Sequence, residues 1–180
     1  VTPGIIWAGG YSSGIYEIDK KKLSVDFFKP SLLSSLNFRP DKYIRAITKD
    51  SEGNVWSGGY YNLKEIDYVN KSIRYISGLS GITAIIEKDP THMWIGTASG
   101  LYLLEKESGS YKYIQMPAEA YIYSLYQTNN GLLYIGTNNV GLFVYDIARN
   151  TFDHYQKGNC SLISNNIYTI LSDENEDIFL

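Results

Sequence analysis

Apolar positions along this chain come in short runs separated by polar turns, and none follows the 3.6-residue period of a helix. The runs are roughly 4–7 residues long, a typical strand length. Several are apolar at consecutive positions, which is expected for strands buried on both faces. The pattern therefore predicts an all-β chain whose sheets are sandwiched between neighbours.

The runs belong to an internal repeat with a period of about 40 residues. Its most regular feature is an aromatic residue followed two positions later by glycine: Trp7 and Gly9, Trp56 and Gly58, Trp94 and Gly96, Tyr134 and Gly136. A further copy begins at Ile178-Phe179-Leu180. We interpret these residues as structural, because the ring fills the space between sheets and the glycine lets the next backbone approach closely.

Each repeat contains three more apolar segments besides the aromatic one. In the third copy they are Ile82–Ile85 before the aromatic, Gly100–Glu105 after it, and Tyr111–Ile114 at the end. Turns rich in Gly and Asn, which tolerate positive φ, connect them. Four short strands per repeat predict the four-stranded antiparallel blade of a β-propeller, with strands A to D running from the axis outward.

The repeat also predicts the domain organisation, a single propeller segment over 1–180. It consists of a partial blade at 1–29, blades at about 43–77, 81–115 and 120–156, and a partial blade at 166–180. This is about four blades' worth. Since both termini fall inside B strands, we expect an arc of a larger propeller rather than a closed four-blade ring. An arc would expose apolar faces and a strand edge, so we expect self-association.

Composition narrows the function classes. The 180 residues carry 16 basic and 19 acidic side chains, a net charge of −3, so no basic stripe points to a nucleic-acid partner. No apolar run approaches the roughly 18–20 residues that span a bilayer, so no membrane contact is predicted for this segment. A single cysteine, Cys160, excludes an internal disulfide framework and a cysteine-based zinc cage.

Catalytic chemistry has few candidates. His92 and His154 are replaced by other residues in sibling repeats, so we interpret both as structural, and Cys160 as an inert thiol. The segment 173–177 begins like a calcium loop but falls on the A–B turn of its repeat, and we interpret it as a turn. We predict no catalytic residue, no metal and no cofactor.

A binding surface is the more credible function. The B–C and D–A loops of a propeller share one face, and here they hold tyrosines, asparagines and an arginine. Rings can stack on apolar sugar faces, while amides and guanidinium groups bond hydroxyls or carboxylates. The candidate ligand-binding residues are Tyr11, Arg39, Tyr60, Tyr61, Asn62, Asn138 and Asn139. The alternative is that Tyr60 and Tyr61 only fill gaps between blades.

The unit Ile-x-Ala-Ile-x-x-Asp-x-x-Gly-Asn-Val-Trp-x-Gly at 44–58, with Gly-Leu-x-x-Leu-Glu at 100–105, resembles the two-component regulator propeller repeat family. Gly10 and Gly59 depart from it, since the family prefers Thr there. The resemblance implies a periplasmic sensor propeller of a hybrid histidine kinase and response regulator. Such a sensor responds to carbohydrate breakdown products and regulates transcription by phosphorelay through domains outside this sequence.

The resemblance also implies partners and an enzymatic status. The partners would be an oligosaccharide or other small ligand and the rest of the parent propeller. The exposed faces of an arc, rather than the resemblance, add a second copy of the chain as a candidate partner. The segment itself would not be an enzyme, whereas the parent would be a histidine kinase. Two alternatives remain open: a propeller lyase similar to virginiamycin B lyase, and a scaffold propeller that binds protein partners.

Overall fold

The computed structural model describes residues 4–10, 14–27, 43–70 and 72–180. Every regular element in these ranges is a β-strand. The chain divides into two compact units, Val1–Pro90 and Thr91–Leu180, hereafter unit 1 and unit 2. The prediction of an all-β fold built from four-stranded antiparallel sheets is confirmed.

Unit 1 contains a three-stranded sheet, a four-stranded sheet and one further strand. The sheets have the orders β1-β2-β3 and β4-β5-β6-β7, with every pair antiparallel. By sequence, β8 is the first strand of the third repeat. The strands are β1 (Ile5–Gly10), β2 (Gly14–Asp19), β3 (Ser24–Phe27), β4 (Ile44–Lys49), β5 (Val55–Gly59), β6 (Leu63–Asp67), β7 (Ser72–Ile76) and β8 (Ile82–Asp89).

Unit 2 repeats this organisation. It holds the other three strands of the third repeat, a four-stranded sheet of order β12-β13-β14-β15, and a two-stranded sheet. The strands are β9 (His92–Thr97), β10 (Gly100–Glu105), β11 (Tyr111–Ile114), β12 (Ile122–Gln127), β13 (Leu132–Thr137), β14 (Leu142–Asp146), β15 (Thr151–Tyr155), β16 (Leu171–Ser172) and β17 (Ile178–Phe179).

The A–B turns form where the repeat predicts them. In unit 1 the Asp50 carboxylate accepts the Asn54 backbone N–H at 2.8 Å, and Gly53 adopts φ +99°. The other carboxylate oxygen of Asp50 accepts the indole N–H of Trp56 at 2.8 Å. One side chain therefore sets the turn and orients the ring of the following strand.

Side-chain alternation gives each sheet two faces, which we name by the aromatic of the repeat. The front face carries that aromatic, and the back face is the opposite one. In unit 1 the front face of β1–β3, with Trp7 and Ile15, packs against Val55 and Ile66 on the back face of β4–β7. The ring of Trp7 meets that of Tyr68 edge to face at 5.4 Å. Front-to-back packing of this kind is how neighbouring propeller blades bury their faces.

Unit 2 packs in the same way. Trp94, on the front face of β9–β11, meets Tyr145 on the back face of β12–β15 at 6.0 Å between ring centroids. Its indole N–H donates to Oε1 of Gln127 at 2.7 Å. Behind Tyr145, the ring of Phe152 stacks at 4.4 Å. Trp7 and Trp94 thus both lie between two neighbouring sheets.

The glycine of the aromatic motif makes room for the first strand of the following repeat. A Cβ on Gly58 would lie 2.5 Å from Cγ2 of Ile82, and one on Gly136 would lie 2.7 Å from the carbonyl oxygen of Ile167. The prediction named the neighbouring backbone as the group approached. At Gly58 the group is instead the branched isoleucine side chain, because β8 presents its buried face to β5.

The first strand of the last repeat is shorter than its sequence pattern. Only Leu171–Ser172 is extended and paired, although Ile167 and Ile170 are buried at 5% and 6% exposure. Its partner β17 offers only two residues for pairing. The preceding segment is held by apolar packing and by backbone hydrogen bonds to the end of β13 and the turn that follows it.

Candidate ligand-binding site on the loop edges

Each unit has an edge formed by loops, which we call its loop edge. There, the turn after each strand with the aromatic–glycine motif lies next to the segment that precedes the first strand of a repeat. Five of the seven residues predicted to bind ligand lie on these edges. Tyr11 and Arg39 lie outside the described residues.

The loop edge of unit 1 carries Tyr60, Tyr61 and Asn62 in the turn between β5 and β6. The two tyrosines are 58% and 59% exposed, and their rings meet at 4.8 Å with an interplanar angle of 75°. The ring of Tyr43, just before β4, lies 6.4 Å from that of Tyr60. More than half of the surface of each of these two residues therefore faces solvent.

The loop edge of unit 2 carries Asn138 and Asn139 in the turn between β13 and β14. The backbone N–H of Asn138 donates to the carbonyl of Tyr121 at 2.9 Å. The backbone N–H of Asn139 donates to Oδ1 of Asn166 at 2.9 Å, and Asn139 itself adopts φ +61°. Asparagine tolerates this left-handed conformation better than most residues, which explains its place in the turn.

Three tyrosines that the sequence analysis did not select lie beside these asparagines. Tyr121 and Tyr123 have ring centroids 5.1 Å apart, and Tyr123 and Tyr168 have centroids 4.8 Å apart with an interplanar angle of only 32°. Tyr168 is 67% exposed. We call Tyr121, Tyr123 and Tyr168 the tyrosine edge.

Buried neighbours hold the segments that carry these rings. Ile122 and Ile167, directly before Tyr123 and Tyr168, are buried at 0% and 5% exposure. Tyr123 itself lies at an irregularity in the pairing of β12 with β13, between Ile122 and Ser124. The backbone N–H of Ile167 donates to the carbonyl of Thr137 at 2.9 Å, which fixes the segment carrying Tyr168 beside the turn. The sequence does contain a signal for these rings. Tyr123 and Tyr168 occupy the position that holds Arg45 and Thr83 in the second and third repeats, so an aromatic residue appears there only in the last two repeats.

The tyrosine edge offers the chemistry that a sugar ring needs. Its rings form a contiguous aromatic surface for an apolar sugar face, and the neighbouring amides of Asn138 and Asn139 supply donors and acceptors for hydroxyls. Such a surface is suited to contact with a ligand through ring stacking and hydrogen bonds.

The two histidines hydrogen-bond to groups of their own repeats. Nε2 of His154 donates to the carbonyl of Val140 at 2.6 Å, and its ring stacks on Phe143 at 4.2 Å, so it lies half-buried between strands rather than on the surface. Nδ1 of His92 pairs with the Thr91 hydroxyl at 2.8 Å. Cys160 is exposed. Across the described ranges no group of three or more His, Cys, Asp or Glu side chains is placed to hold a metal.

The segment 173–177 forms the turn between β16 and β17. Oδ1 of Asp173 accepts the backbone N–H groups of Asn175 and Asp177 at 2.9 and 3.0 Å. Oε1 of Glu176 accepts from the side chain of Asn129 at 2.5 Å. Asp173, the first residue of this segment, therefore sets the turn through its carboxylate, in keeping with the interpretation of 173–177 as a turn.

Comparison with known proteins supports the repeat assignment. The family model described as two component regulator propeller matches residues 39–61 and 116–139. Among curated proteins no relative matches the chain. No helix within the described ranges has the length and apolar character needed to cross a membrane.

Solved structures give the fold. The extracellular domain of the hybrid two component system BT4673 from B. thetaiotaomicron is 24% identical, with a TM-score of 0.80 over 99% of this chain and 25% of that one. The extracellular domain of BT3049 from the same organism is 22% identical, with a TM-score of 0.80 over 98% and 23% of the two chains. Virginiamycin B lyase from Staphylococcus aureus is 13% identical, with a TM-score of 0.77 over 99% and 59%.

The chain thus spans about a quarter of the length of the two extracellular domains. Sequence identities of 13–24% show similarity of fold alone. The three solved structures share the propeller architecture that the repeat predicts. The chain is therefore a β-propeller segment, and the resemblance of its repeats to the two component regulator propeller family is confirmed by the match at residues 39–61 and 116–139.

Proposed function

We propose that this chain is a ligand-sensing, extracytoplasmic propeller segment of a two-component sensor. It responds to carbohydrate breakdown products, and transcription is regulated through kinase and receiver domains outside this sequence. The segment binds and does not catalyse, and it belongs to a larger propeller in the periplasm. The family match and the likeness to extracellular domains of two hybrid two component systems support this role.

The tyrosine edge is the single observation that carries the ligand class. Three rings in succession, with centroid separations of 5.1 and 4.8 Å, stand beside a turn rich in asparagine. A structural role would favour burial of these rings, yet Tyr168 is 67% exposed. Exposed aromatic surface combined with amide groups favours a polyhydroxylated ligand that has an apolar face.

The test is a thermal-shift screen of the 180-residue chain against a panel of oligosaccharides, followed by titration of each hit. We expect at least one sugar to raise the melting temperature, because binding to the folded state alone stabilises it. Tyr168→Ala should lower the affinity for that sugar by about tenfold, equivalent to about 1.4 kcal/mol of binding free energy. The matched control is Tyr111→Ala, which removes a 39% exposed tyrosine of the same unit away from the tyrosine edge.

Two results would contradict the proposal. One is a panel in which no sugar shifts the melting temperature while a protein partner is captured, which favours the scaffold alternative. The other is an equal loss of affinity in the Tyr111→Ala and Tyr168→Ala variants, because binding would then not depend specifically on the tyrosine edge.

A further inference from the structure

The two loop edges are built on the same strand register, so their residues can be compared position by position. In both units the first strand of a repeat pairs antiparallel with the second, and an irregularity interrupts the pairing. It falls between Ile44 and Ala46 in unit 1 and between Ile122 and Ser124 in unit 2. The residue at this irregularity therefore leaves its strand at the same place in both units.

At this place unit 1 has an arginine where unit 2 has a tyrosine. The residues are Arg45 and Tyr123, and each follows another tyrosine by two positions, Tyr43 in unit 1 and Tyr121 in unit 2. In unit 2 the rings of Tyr121 and Tyr123 have centroids 5.1 Å apart. Arg45 is exposed, and its side chain has a reach similar to that of tyrosine. Its guanidinium is therefore within reach of the ring of Tyr43.

The two loop edges differ in charge. Each comprises the start of a first strand, the turn after the second strand, and the segment that leads into the next repeat. These segments are 43–45, 59–63 and 77–83 in unit 1, and 121–123, 137–142 and 164–168 in unit 2. Within them Arg45 carries the only formal charge of unit 1, whereas the segments of unit 2 carry none. The edge of unit 1 is thus aromatic and cationic, and that of unit 2 is aromatic and uncharged.

Neighbouring segments of unit 1 hold its aromatic surface in place. The carbonyl of Tyr60 accepts the backbone N–H of Gly81 at 3.1 Å, so the segment that leads into β8 lies against the turn. A Cβ on Gly59 would overlap the carbonyl oxygen of Tyr43. Unit 2 has Thr137 here, the residue type that the family prefers. Glycine in unit 1 therefore lets Tyr43 approach the strand that continues into Tyr60.

An exposed guanidinium beside aromatic rings suits a sugar that carries a carboxylate. The guanidinium is planar and always charged, and its N–H groups match the two oxygens of a carboxylate. Charge-assisted hydrogen bonds of this kind are roughly twice as strong as those between neutral groups. Tyr60, at 58% exposure, offers ring surface to the apolar face of the same sugar. The tyrosine edge of unit 2 supplies rings and amides only, which suit an uncharged sugar.

We propose that the loop edge of unit 1 binds an acidic sugar residue, whereas the tyrosine edge of unit 2 binds uncharged ones. This inference rests on the proposed function, since it takes both edges as carbohydrate-binding surfaces. In unit 1 the guanidinium of Arg45 pairs with the sugar carboxylate, and the rings of Tyr43 and Tyr60 contact its apolar face. Arg45 is the residue that determines this specificity.

Isothermal titration calorimetry of the 180-residue chain with two matched probes tests this proposal. The probes are trigalacturonate and its fully methyl-esterified form, which keeps the sugar backbone and removes the charge. Arg45→Met should lower the affinity for the acid by about tenfold more than the affinity for the ester, because it removes the charge and keeps a long side chain. Tyr168→Ala should show the opposite split, with the larger loss for the ester.

Two further variants separate a specific contact from a general loss of positive charge. Arg149→Met is the matched control, because Arg149 lies in the turn between β14 and β15 with its side chain 81% exposed. It should leave both affinities unchanged. Arg45→Lys keeps the charge but loses the planar fork, so it should retain part of the affinity for the acid that Arg45→Met loses. Thermal melts of each variant check that it is folded.

Equal losses for the acid and the ester in Arg45→Met, no loss for either, or the same loss in Arg149→Met would overturn the proposal. So would a chain that binds other sugars but not trigalacturonate. A chain that binds neither these probes nor any sugar of the thermal-shift screen would instead refute the proposed function, so the failures of the two proposals are distinguishable.

Discussion

The hydroxyl of Ser57 is an unusual feature at the scale of single residues. The side chain is fully buried on the back face of β5, at 0% exposure, and its oxygen makes no hydrogen bond. Sibling repeats place Ala8, Ile95 and Ile135 here. A buried hydroxyl without a partner carries its full desolvation cost.

Ser57→Ala should therefore stabilise the protein. Removing the unpaired oxygen leaves the methyl group in place and creates almost no cavity, so we expect a gain of about 1 kcal/mol in the free energy of unfolding. Urea denaturation followed by tryptophan fluorescence measures it.

Thr137→Val is the matched control for Ser57→Ala. The Thr137 hydroxyl is equally buried but donates to the carbonyl of Gly141 at 2.6 Å. Its isosteric replacement should cost about 1 kcal/mol. Two changes of the same sign would contradict this account of the two hydroxyls.

The strand-ending acids predict a pH dependence. Asp67 accepts the Asn70 backbone N–H at 2.9 Å and its side-chain amide at 2.6 Å, and these bonds hold the pKa of Asp67 below its ordinary value of 3.8. A lowered folded-state pKa adds stability that is complete above the ordinary value and lost as pH falls through the folded-state pKa.

Asp67→Asn should thus lower the melting temperature at neutral pH, and the difference from wild type should shrink in acid below 3.8. Thermal melts of both proteins across this range measure the effect. Asn70→Ala, which removes only the side-chain donor, should show a smaller difference of the same sign. A wild-type-to-variant difference that grows in acid would refute the role given to Asp67.

At the scale of elements, the glycine of the aromatic motif sets how closely neighbouring strands approach. Gly58→Ala would place a Cβ 2.5 Å from Cγ2 and 2.7 Å from Cβ of Ile82, and neither atom lies at the end of a flexible chain. We expect a loss of roughly 1–3 kcal/mol from overpacking. Urea denaturation of the variant measures it.

Gly131→Ala separates this steric effect from backbone strain. Gly131 adopts φ +86°, but no atom lies within 4 Å of an added Cβ. Its replacement should cost only about 1–2 kcal/mol, the strain of a left-handed residue. If both variants lost the same amount and Ile82→Ala did nothing to relieve Gly58→Ala, the close approach would not be the cause.

The elements of the fold were accessible from the sequence because they repeat. An isolated segment such as Ile82–Asp89 could be a strand or part of a buried helix, but the three corresponding segments of the other repeats, with their turns, favour a strand. The repeat also identified the aromatic and glycine positions, since packing between blades demands the same shapes each time. The two-residue strand β16 was harder to foresee, because its length depends on its partner β17 rather than on its own residues.

The residues of the candidate site could be predicted from the sequence only in part, because only some of them stand in turns. Tyr60 and Asn138 were selected because they stand in turns, where ligand contacts are expected. Tyr123 and Tyr168 stand in the A-strand segments, at a position that varies between repeats, and their proximity follows from packing of one repeat on the next. Sequence position alone does not report that a varied strand residue forms part of an exposed aromatic surface.

At the scale of the whole molecule, the repeat produces two kinds of surface. Sheet faces are apolar and bury against one another, whereas the loop edges are free to vary and carry exposed rings and amides. This separation predicts that Val25→Asp, a change at a 63% exposed position of a sheet face, leaves oligosaccharide binding unchanged. Titration of the variant with the sugar identified for wild type measures this, and a loss of affinity would show that binding also depends on the sheet faces.

The most direct test of the account is an NMR titration that follows the tyrosine ring signals of the chain while a binding oligosaccharide is added. With an uncharged oligosaccharide, we expect shifts concentrated on Tyr121, Tyr123 and Tyr168, with Tyr75 and Tyr111 unmoved. Shifts confined to Tyr134 and Tyr155, which line a cavity on the β12–β15 sheet, or shifts spread evenly over all tyrosines, would contradict the claim that this propeller segment binds carbohydrate at its tyrosine edge.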